Sequence, residues 1–421
     1  MQINYLLIAT GAVVFLIIIL ILVIVLLVAK KKLIPSGNVK ITINEDRELE
    51  VPIGGTLLNT LQNEGIFLSS ACGGGGTCGQ CRLQVIEGGG EILPTEKPHF
   101  SRKEQMNHWR LGCQTKVKEP LSILVNESIF GVKEWECEVL SNRNVSTFIK
   151  EFVVKLPEGE HMDFKSGSYA QIKIPAYEVN YKDFDITNKE GADPFRADWD
   201  KFGMWGITSR NTEPTVRAYS MANYPEEGNI ITLNVRIATP PIDRNTHTWA
   251  AGIPTGIASS YIFSLKPGDK VTMSGPYGDF HINEDSDAEM LYIGGGAGMA
   301  PLRAQLLHLF RTEKTKRKVS FWYGARSRSE IFYEEDFRAI EREFPNFKFV
   351  IALSAARPED HWDGPTGFIH QVIYDNYLKD HEAPEDIEYY MCGPGPMTSS
   401  AVHMLDDLGV EPTQIHFDNF G

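Results

Sequence analysis

Positive charge is scarce in this sequence. The chain has 41 Lys and Arg against 55 Asp and Glu in 421 residues, a formal net charge of −14, and no extended basic stretch follows residue 33. Because binding to nucleic-acid phosphates depends on clustered Lys and Arg, this composition argues against a nucleic-acid partner. The apolar fraction of 42% and the charged fraction of 23% are ordinary for globular proteins and exclude a chain dominated by disorder.

Cysteine is scarce as well, with six residues in the whole chain. Four of them belong to one pattern described below, and Cys137 and Cys392 have no obvious disulfide role. The sequence therefore indicates a reducing compartment and excludes a framework of disulfides.

Charge is absent from residues 5–29, which as a helix would be about 37 Å long against a hydrocarbon core of about 30 Å. We interpret this stretch as a transmembrane helix within a membrane anchor, residues 1–32. A signal peptide is the alternative, but no positive charge precedes the stretch and it exceeds an h-region of roughly 7 to 15 residues. Lys30, Lys31 and Lys32 follow it, so the positive-inside rule predicts that the remaining chain is cytoplasmic. The stretch has no Asp, Glu, His, Lys or Arg and offers no ion path.

A glycine-rich loop carries three of the cysteines: residues 71–81 read Ala-Cys-Gly-Gly-Gly-Gly-Thr-Cys-Gly-Gln-Cys. Glycine allows such a loop to fold tightly and to bring backbone N–H groups close to inorganic sulfide. A 2Fe-2S cluster needs four thiolates. The candidate metal ligands are Cys72, Cys78, Cys81 and Cys113. A structural zinc ion is the alternative, although zinc sites more often use two separated C-x2-C pairs.

The segments around this loop predict a β-grasp domain over residues 33–130. Apolar residues alternate in Val39–Ile43, a short helix is predicted over Thr56–Glu64, and strands are predicted at Arg82–Ile86 and Leu121–Val125. The C-x5-C-x2-C spacing is one residue longer than the plant-type spacing. The module resembles plant-type and adrenodoxin-like ferredoxins.

Residues 131–285 contain alternating segments broken by Gly and Pro, which predict a small antiparallel β-barrel. Two short motifs in it, Arg217-Ala218-Tyr219-Ser220 and a segment beginning at Gly256, together resemble the FAD-binding pair of the ferredoxin-NADP reductase superfamily. That resemblance implies that Arg217 holds the FAD pyrophosphate, Tyr219 stacks on the isoalloxazine and Ser220 hydrogen-bonds near its N5. The phosphates would be lined by Gly256, Ser259 and Ser260.

An insertion rich in acidic and aromatic residues, residues 176–205, interrupts the barrel before the flavin motif. A solvated loop and a docking flap for a partner subunit are both compatible with this composition.

Residues 286–421 predict a doubly wound α/β domain that binds a dinucleotide. A strand at Met290–Ile293 runs into a glycine-rich turn and a helix predicted from Leu302 to Phe310, so that backbone N–H groups would face a pyrophosphate. Further strands are predicted at residues 319–324, 347–353 and 389–392.

The turn motifs of this domain resemble the same reductase superfamily. The candidate nucleotide-binding residues are Gly294, Gly295, Gly296, Ala297, Gly298, Pro301, Cys392, Gly393 and Pro394. The resemblance implies that Cys392 faces the hydride path and that Phe420 covers the flavin face, so both are candidate catalytic residues with Tyr219 and Ser220. A buried cysteine acting as a small apolar residue is the alternative for Cys392.

The charges that follow the strand predicted at residues 319–324 leave the choice of donor open. Arg326 and Arg328 favour the 2'-phosphate of NADPH, whereas Glu330, Glu334 and Glu335 disfavour it.

The order of anchor, ferredoxin, flavin barrel and nucleotide domain resembles the F subunit of the sodium-translocating NADH:quinone oxidoreductase, and residues 183–185 and 198–202 are similar to that family's insertion. The resemblance implies NADH as donor, with FAD and one 2Fe-2S cluster as relays. It also implies a bacterial inner-membrane complex whose other subunits reduce ubiquinone or menaquinone and export sodium. FAD is needed because a hydride carries two electrons and the cluster accepts one.

Two other functions use the same modules. An NADH reductase component of a multicomponent oxygenase is normally soluble, so the anchor counts against it. An electron-carrier adapter without dehydrogenase activity is disfavoured by the intact flavin motif and glycine turn.

Overall fold

The computed structural model describes residues 11, 13–25, 37–242, 249–250 and 252–418. The chain divides into two compact units, one made of residues 1–69 and 74–130 and the other of residues 70–73 and 131–421.

The N-terminal stretch is described only in part. Residues 13–25 form an exposed helix, α1, and most of the remaining predicted membrane helix lies outside the described residues. Within the described part of the chain, no helix combines the length and apolar character required to cross a bilayer.

The first unit is built on a five-stranded mixed sheet in the order β2-β1-β5-β3-β4. Its strands are β1 (Asn38–Ile43), β2 (Arg47–Pro52), β3 (Arg82–Glu87), β4 (Trp109–Leu111) and β5 (Leu121–Leu124). The helices are α2 (Leu57–Asn63) and α3 (Arg102–Met106). β1 runs antiparallel to β2 and parallel to β5, and the buried face of α2 packs on this sheet, as expected of a β-grasp domain. Thr56 begins α2 because its hydroxyl accepts the N–H of Asn59.

The barrel of the second unit is a six-stranded antiparallel sheet in the order β11-β8-β13-β6-β7-β12. Its strands are β6 (Lys133–Ser146), β7 (Ile149–Lys155), β8 (Tyr169–Ile174), β11 (Thr215–Ser220), β12 (Ile230–Arg236) and β13 (Lys270–Tyr277). A bridge between Met221 and Leu233 joins the two edge strands, so the sheet closes on itself. A two-residue turn, Thr147 and Phe148, connects β6 to β7.

The insertion begins with β9 (Tyr177–Asn180), contains α4 (Arg196–Lys201) and ends just before β10 (Thr208–Asn211), the strand that pairs with β9 in a two-stranded sheet. Tyr181 and Trp199 are fully buried and Phe184 is 7% exposed, all within the core of the barrel. The solvated-loop interpretation is therefore wrong, because these large side chains extend the apolar core. A docking surface on this segment would have to use its charged residues.

The last part of the second unit is a parallel sheet in the order β16-β15-β14-β17-β18. Its strands are β14 (Met290–Gly295), β15 (Val319–Ala325), β16 (Phe347–Leu353), β17 (Glu388–Cys392) and β18 (Ile415–Asp418). The helices of the second unit after α4 are α5 (Ile257–Ser264), α6 (Met299–Leu307), α7 (Glu334–Glu343), α8 (Ile369–Asn376) and α9 (Gly395–Asp407). The strand order reverses beside β14, and in such sheets ligands bind at the carboxyl ends of the strands at that point.

The helix expected from Leu302 to Phe310 begins earlier, at Met299. Pro301 falls in its first turn, where a missing N–H costs nothing. The α-helix ends at Leu307 and continues as a π-helical turn over His308–Thr312.

Candidate redox site

The cysteine loop adopts a backbone that only glycine accommodates well. Gly76 and Gly79 both have positive φ, and a Cβ on Gly79 would lie 2.7 Å from the His99 ring. The carbonyl of Gly76 is 3.1 Å from Nε2 of the same histidine. Other residues would strain this loop, so its glycines serve the close approach of its backbone to neighbouring groups.

The candidate ligands within the first unit lie near one another. Cys81 and Cys113 are buried and Cys78 is partly exposed, and none of the six cysteines forms a disulfide. A hydrogen bond with Cys113, together with burial, raises the pKa of the Cys81 thiol far above its usual range. The backbone N–H of Gly112 donates to the carbonyl of Cys81 at 2.8 Å, which ties the two ligand-bearing segments together.

Among the described residues, no group of three His, Cys, Asp or Glu side chains is arranged as ligands of a single metal ion. The buried thiols of Cys81 and Cys113, with Cys78 on the same glycine-rich loop as Cys81, are nevertheless the kind of donor that a 2Fe-2S cluster requires, since its thiolates bind two irons.

A buried ion pair that the sequence analysis missed supports the segment before Cys113. Arg110 donates to Glu96 through Nε at 3.0 Å and Nη2 at 2.9 Å, with the two side chains 7% and 0% exposed. Glu96 also accepts the N–H of Leu111 at 2.8 Å. Arg110 further donates to the carbonyl of Gly90 at 2.8 Å, so its guanidinium joins three parts of the chain.

The flavin motif lies on β11, an edge strand that pairs with β8. Burial raises the pKa of Tyr219, and the charge of Arg217 opposes that effect. The guanidinium of Arg217 donates to the hydroxyl of Thr215 and to the carbonyl of Val216, both at 2.8 Å. A planar cation and an aromatic ring therefore lie near each other on one strand, as recognition of a pyrophosphate and a flavin requires.

The second flavin motif forms the beginning of α5, with Gly256 at its N-cap. The hydroxyl of Ser259 accepts the N–H of Ala238 at 3.1 Å, and the hydroxyl of Ser260 is 2.8 Å from that of Tyr181. The N–H of Ser260 bonds to Gly256. Since the first N–H groups of a helix have no partner within it, the remaining donors of this turn are the backbone groups of residues 257–259.

Ser220 meets the end of the dinucleotide domain. Its hydroxyl donates to Oδ2 of Asp418 at 2.7 Å, and Asp418 pairs with Cys392 across β17 and β18. Burial and the charge of Asp279 raise the pKa of Asp418, although the Ser220 hydrogen bond opposes them. Burial and the charge of Asp418 raise the pKa of the Cys392 thiol, which is therefore neutral. Phe420 lies outside the described residues.

A cleft of about 480 Å³ lies between the barrel and the carboxyl edge of the parallel sheet. Gly295, Gly296 and Pro394 line it on one side, and Phe148 and Ile149 line it on the barrel side.

The glycine turn beside the cleft is shaped by close packing. A Cβ on Gly298 would lie 2.1 Å from the carbonyl oxygen of Cys392, and one on Gly393 would lie 2.4 Å from Met397. Gly296 instead has a positive φ of 56°. The two predicted turns therefore contact each other. Ala297 lies between Gly296 and Gly298 in the first turn, and Pro301 is buried in α6.

The charged residues that left the choice between NADH and NADPH open lie in two different places in the structure. Arg326 and Glu330 both line the cleft. Glu334 and Glu335 instead form ion pairs on α7, with Arg338 and Arg342.

Three family models match the chain in order. The 2Fe-2S iron-sulfur cluster binding domain matches residues 41–118, the oxidoreductase FAD-binding domain residues 204–282 and the oxidoreductase NAD-binding domain residues 292–403. The chain therefore has the predicted ferredoxin, FAD and NAD domains, and these models bear out the cofactors expected from the sequence.

Two of the similar solved structures are the cytochrome P450 reductase GcoB of Amycolatopsis and a ferredoxin reductase in carbazole 1,9a-dioxygenase. GcoB gives a TM-score of 0.62 at 23% identity and covers 91% of this chain and 98% of its own. The ferredoxin reductase gives 0.60 at 24% identity and covers 92% and 99%. At these identities the similarity shows the fold alone.

Among curated proteins, the chain is similar to the F subunits of the Na(+)-translocating NADH-quinone reductases of two bacteria. It is 52% identical to the protein of Marinomonas sp. (strain MWYL1) over 414 residues, 98% of each chain. It is 54% identical to that of Pseudomonas aeruginosa (strain UCBPP-PA14) over 390 residues, 93% of each chain.

Proposed function

Because the chain belongs to the F-subunit family of the Na(+)-translocating NADH-quinone reductase, we propose that it is the component through which electrons from NADH enter a quinone reductase complex. Bound FAD would accept two electrons as a hydride and release them singly, and the 2Fe-2S cluster would carry single electrons to membrane subunits that reduce quinone. The observation that supports this most directly is the meeting of Ser220, Asp418 and Cys392 beside the glycine turn of the dinucleotide domain.

The residues around the cleft can bind and orient the dinucleotide. The turn at Gly295 and Gly296 leads into the N-terminus of α6, whose dipole attracts a pyrophosphate. Phe148, Ile149 and Pro394 supply apolar walls that exclude water from the donor. Exclusion of water favours direct transfer between two stacked rings.

The pair formed by Ser220 and Asp418 can hold a proton next to the predicted flavin N5. A carboxyl whose pKa is raised by burial accepts a proton more readily than an exposed one. The neutral thiol of Cys392 fills space beside it without adding charge.

The cluster would be held by Cys72, Cys78, Cys81 and Cys113. Four thiols without disulfides, three on the glycine-rich loop and one at Cys113, have the chemistry that this group needs, and the Glu96–Arg110 pair would keep the segment of Cys113 rigid.

NADH is the proposed donor in preference to NADPH. Glu330 lines the cleft, and its carboxylate would repel a 2'-phosphate more than it would a ribose hydroxyl. The nearby Arg326 would reduce this repulsion without removing it.

Residues 5–29 are proposed to cross the bacterial inner membrane once, with the three other domains in the cytoplasm. The uncharged stretch and the three lysines after it support this arrangement. The proposed boundaries are residues 1–32 for the anchor, 33–130 for the ferredoxin domain, 131–285 for the FAD domain and 286–421 for the NADH domain. Electrons from this chain would reach quinone only indirectly, through the other membrane subunits that it contacts.

The test is anaerobic oxidation of NADH by the purified full chain in detergent. The proposal predicts bound FAD and iron, and bleaching of the flavin absorbance followed by reduction of the cluster. A preparation that contains FAD and iron but is not reduced by NADH would contradict the proposal.

A further inference from the structure

The insertion of residues 176–205 contacts the turn of the hairpin β6–β7, which forms the barrel side of the cleft. The indole Nε1 of Trp199 donates to the carbonyl of Thr147 at 2.7 Å. The ring of Trp199 stacks on Phe148 with centroids 6.5 Å apart, and Phe202 meets the same ring edge-on at 5.8 Å. The two-residue turn is therefore held by two aromatic side chains of the insertion.

Both strands of the hairpin are fixed by the same insertion. The N–H of Asn144 on β6 donates to the carbonyl of Thr187 at 3.0 Å. The buried ammonium of Lys150 on β7 donates to the carbonyl of Asp185 at 2.5 Å. The hairpin thus cannot move without breaking hydrogen bonds to the insertion.

Charged residues connect the same region to the dinucleotide domain. Asp198 lies 3.5 Å from Arg357, which follows β16. Lys189 lies 3.0 Å from Glu151 on β7, and the hydroxyl of Tyr333 donates to the same carboxylate at 2.5 Å. The insertion therefore contacts both the hairpin of the barrel and the dinucleotide domain.

We infer that the insertion positions the Phe148–Ile149 wall of the dinucleotide cleft and thereby sets the affinity for NADH, with Trp199 as its main positioning residue. This inference rests on the proposed function, since it assumes that the cleft binds NADH. Trp199 itself does not line the cleft and acts through Phe148.

Trp199→Phe removes the N–H that holds Thr147 and keeps an aromatic ring in the core. Loss of one hydrogen bond from the wall predicts NAD+ binding about 3- to 10-fold weaker. The measurement is a titration of the full, FAD-loaded chain with NAD+, in which binding is monitored through the change in flavin absorbance. The KM for NADH should rise by the same factor.

Trp205→Phe is the matched control. Trp205 belongs to the same insertion, but its indole donates to Asp200 within that insertion and not to the hairpin. The dissociation constant of the Trp205→Phe variant for NAD+ should equal that of the wild type. If Trp199 has a purely structural role, the Trp199→Phe variant will have a lower melting temperature but an unchanged affinity for NAD+. That result would overturn the inference.

Phe202→Leu keeps the inference testable if Trp199→Phe fails to fold. Phe202 is half-buried, and Phe202→Leu removes its edge contact with Phe148 while keeping an apolar side chain against the core. It should weaken NAD+ binding in the same direction but by less, and an unchanged affinity would contradict the inference. A wild-type chain that binds no NAD+ would instead refute the proposed function itself.

Discussion

The buried pair of Glu96 and Arg110 gives a quantitative prediction for the ferredoxin domain. Glu96→Gln leaves the Arg110 guanidinium, which is 7% exposed, without its counter-charge. Removing one partner of a buried ion pair costs about 3–5 kcal/mol, and because glutamine still accepts hydrogen bonds we expect about 3 kcal/mol. A domain whose total stability is of the order of 5–15 kcal/mol should then lose a large part of it.

The assay is urea denaturation followed through the visible circular dichroism of the cluster, with flavin fluorescence as an internal reference for the second unit. Glu96→Gln should release the cluster at a clearly lower urea concentration, while the flavin transition stays in place. Glu104→Gln is the control, because Glu104 pairs with Arg82 on the surface, with side chains 33% and 39% exposed, and should change little. Equal midpoints for Glu96→Gln and the wild type would refute this reasoning.

Three further results are expected. NADH should be oxidised with a much higher kcat/KM than NADPH, and Glu330→Gln should reduce the ratio of these two kcat/KM values. Equal kcat/KM values for NADH and NADPH in the wild type would show that the attraction of Arg326 for a 2'-phosphate outweighs the repulsion by Glu330. Burial lowers the pKa of Lys150 from 10.5 to about 7, so the unfolded chain binds the extra proton between these values and stability should rise with pH across that window. Lys150→Met should abolish this rise in stability with pH. If thermal melts of Lys150→Met still show the rise, another titratable group causes it. A fragment beginning at Leu33 should be soluble and oxidise NADH with an artificial acceptor without restoring quinone reduction to membranes that lack the full chain; a colourless fragment would contradict the domain assignment.

The features that the sequence predicts well are those set by neighbouring residues. Gly298, in the turn after β14, lies so close to β17 that an added Cβ would come within 2.1 Å of the Cys392 carbonyl oxygen, so this turn requires glycine and its spacing is visible in the sequence. The alternating and apolar segments along the chain likewise predict the strands of the three domains. The start of α6 is harder to predict, because a proline usually interrupts a helical pattern, whereas Pro301 lies in the first turn of α6.

The contacts that sequence reasoning missed join residues far apart in the chain. Ser220 and Asp418 are separated by 198 positions, and Trp199 reaches Thr147 across 52. No spacing rule pairs such residues, since only the closed barrel and the parallel sheet bring them together. For the same reason, the nearness of Glu334 and Glu335 to Arg326 in the sequence predicts an influence on the 2'-phosphate, whereas α7 directs both carboxylates to arginines on its own surface.

The order of electron transfer, from NADH to FAD and then to the cluster, is the central claim, and stopped-flow mixing of two variants with NADH tests it most directly. Cys78→Ala should lose the cluster and still bleach its flavin at a near-normal rate, because Tyr219, Ser220 and Cys392 belong to other domains. Tyr219→Ala should weaken FAD retention and leave an intact cluster that NADH does not reduce. Reduction of the cluster in a flavin-free preparation, or loss of flavin bleaching in Cys78→Ala with FAD still bound, would contradict this order.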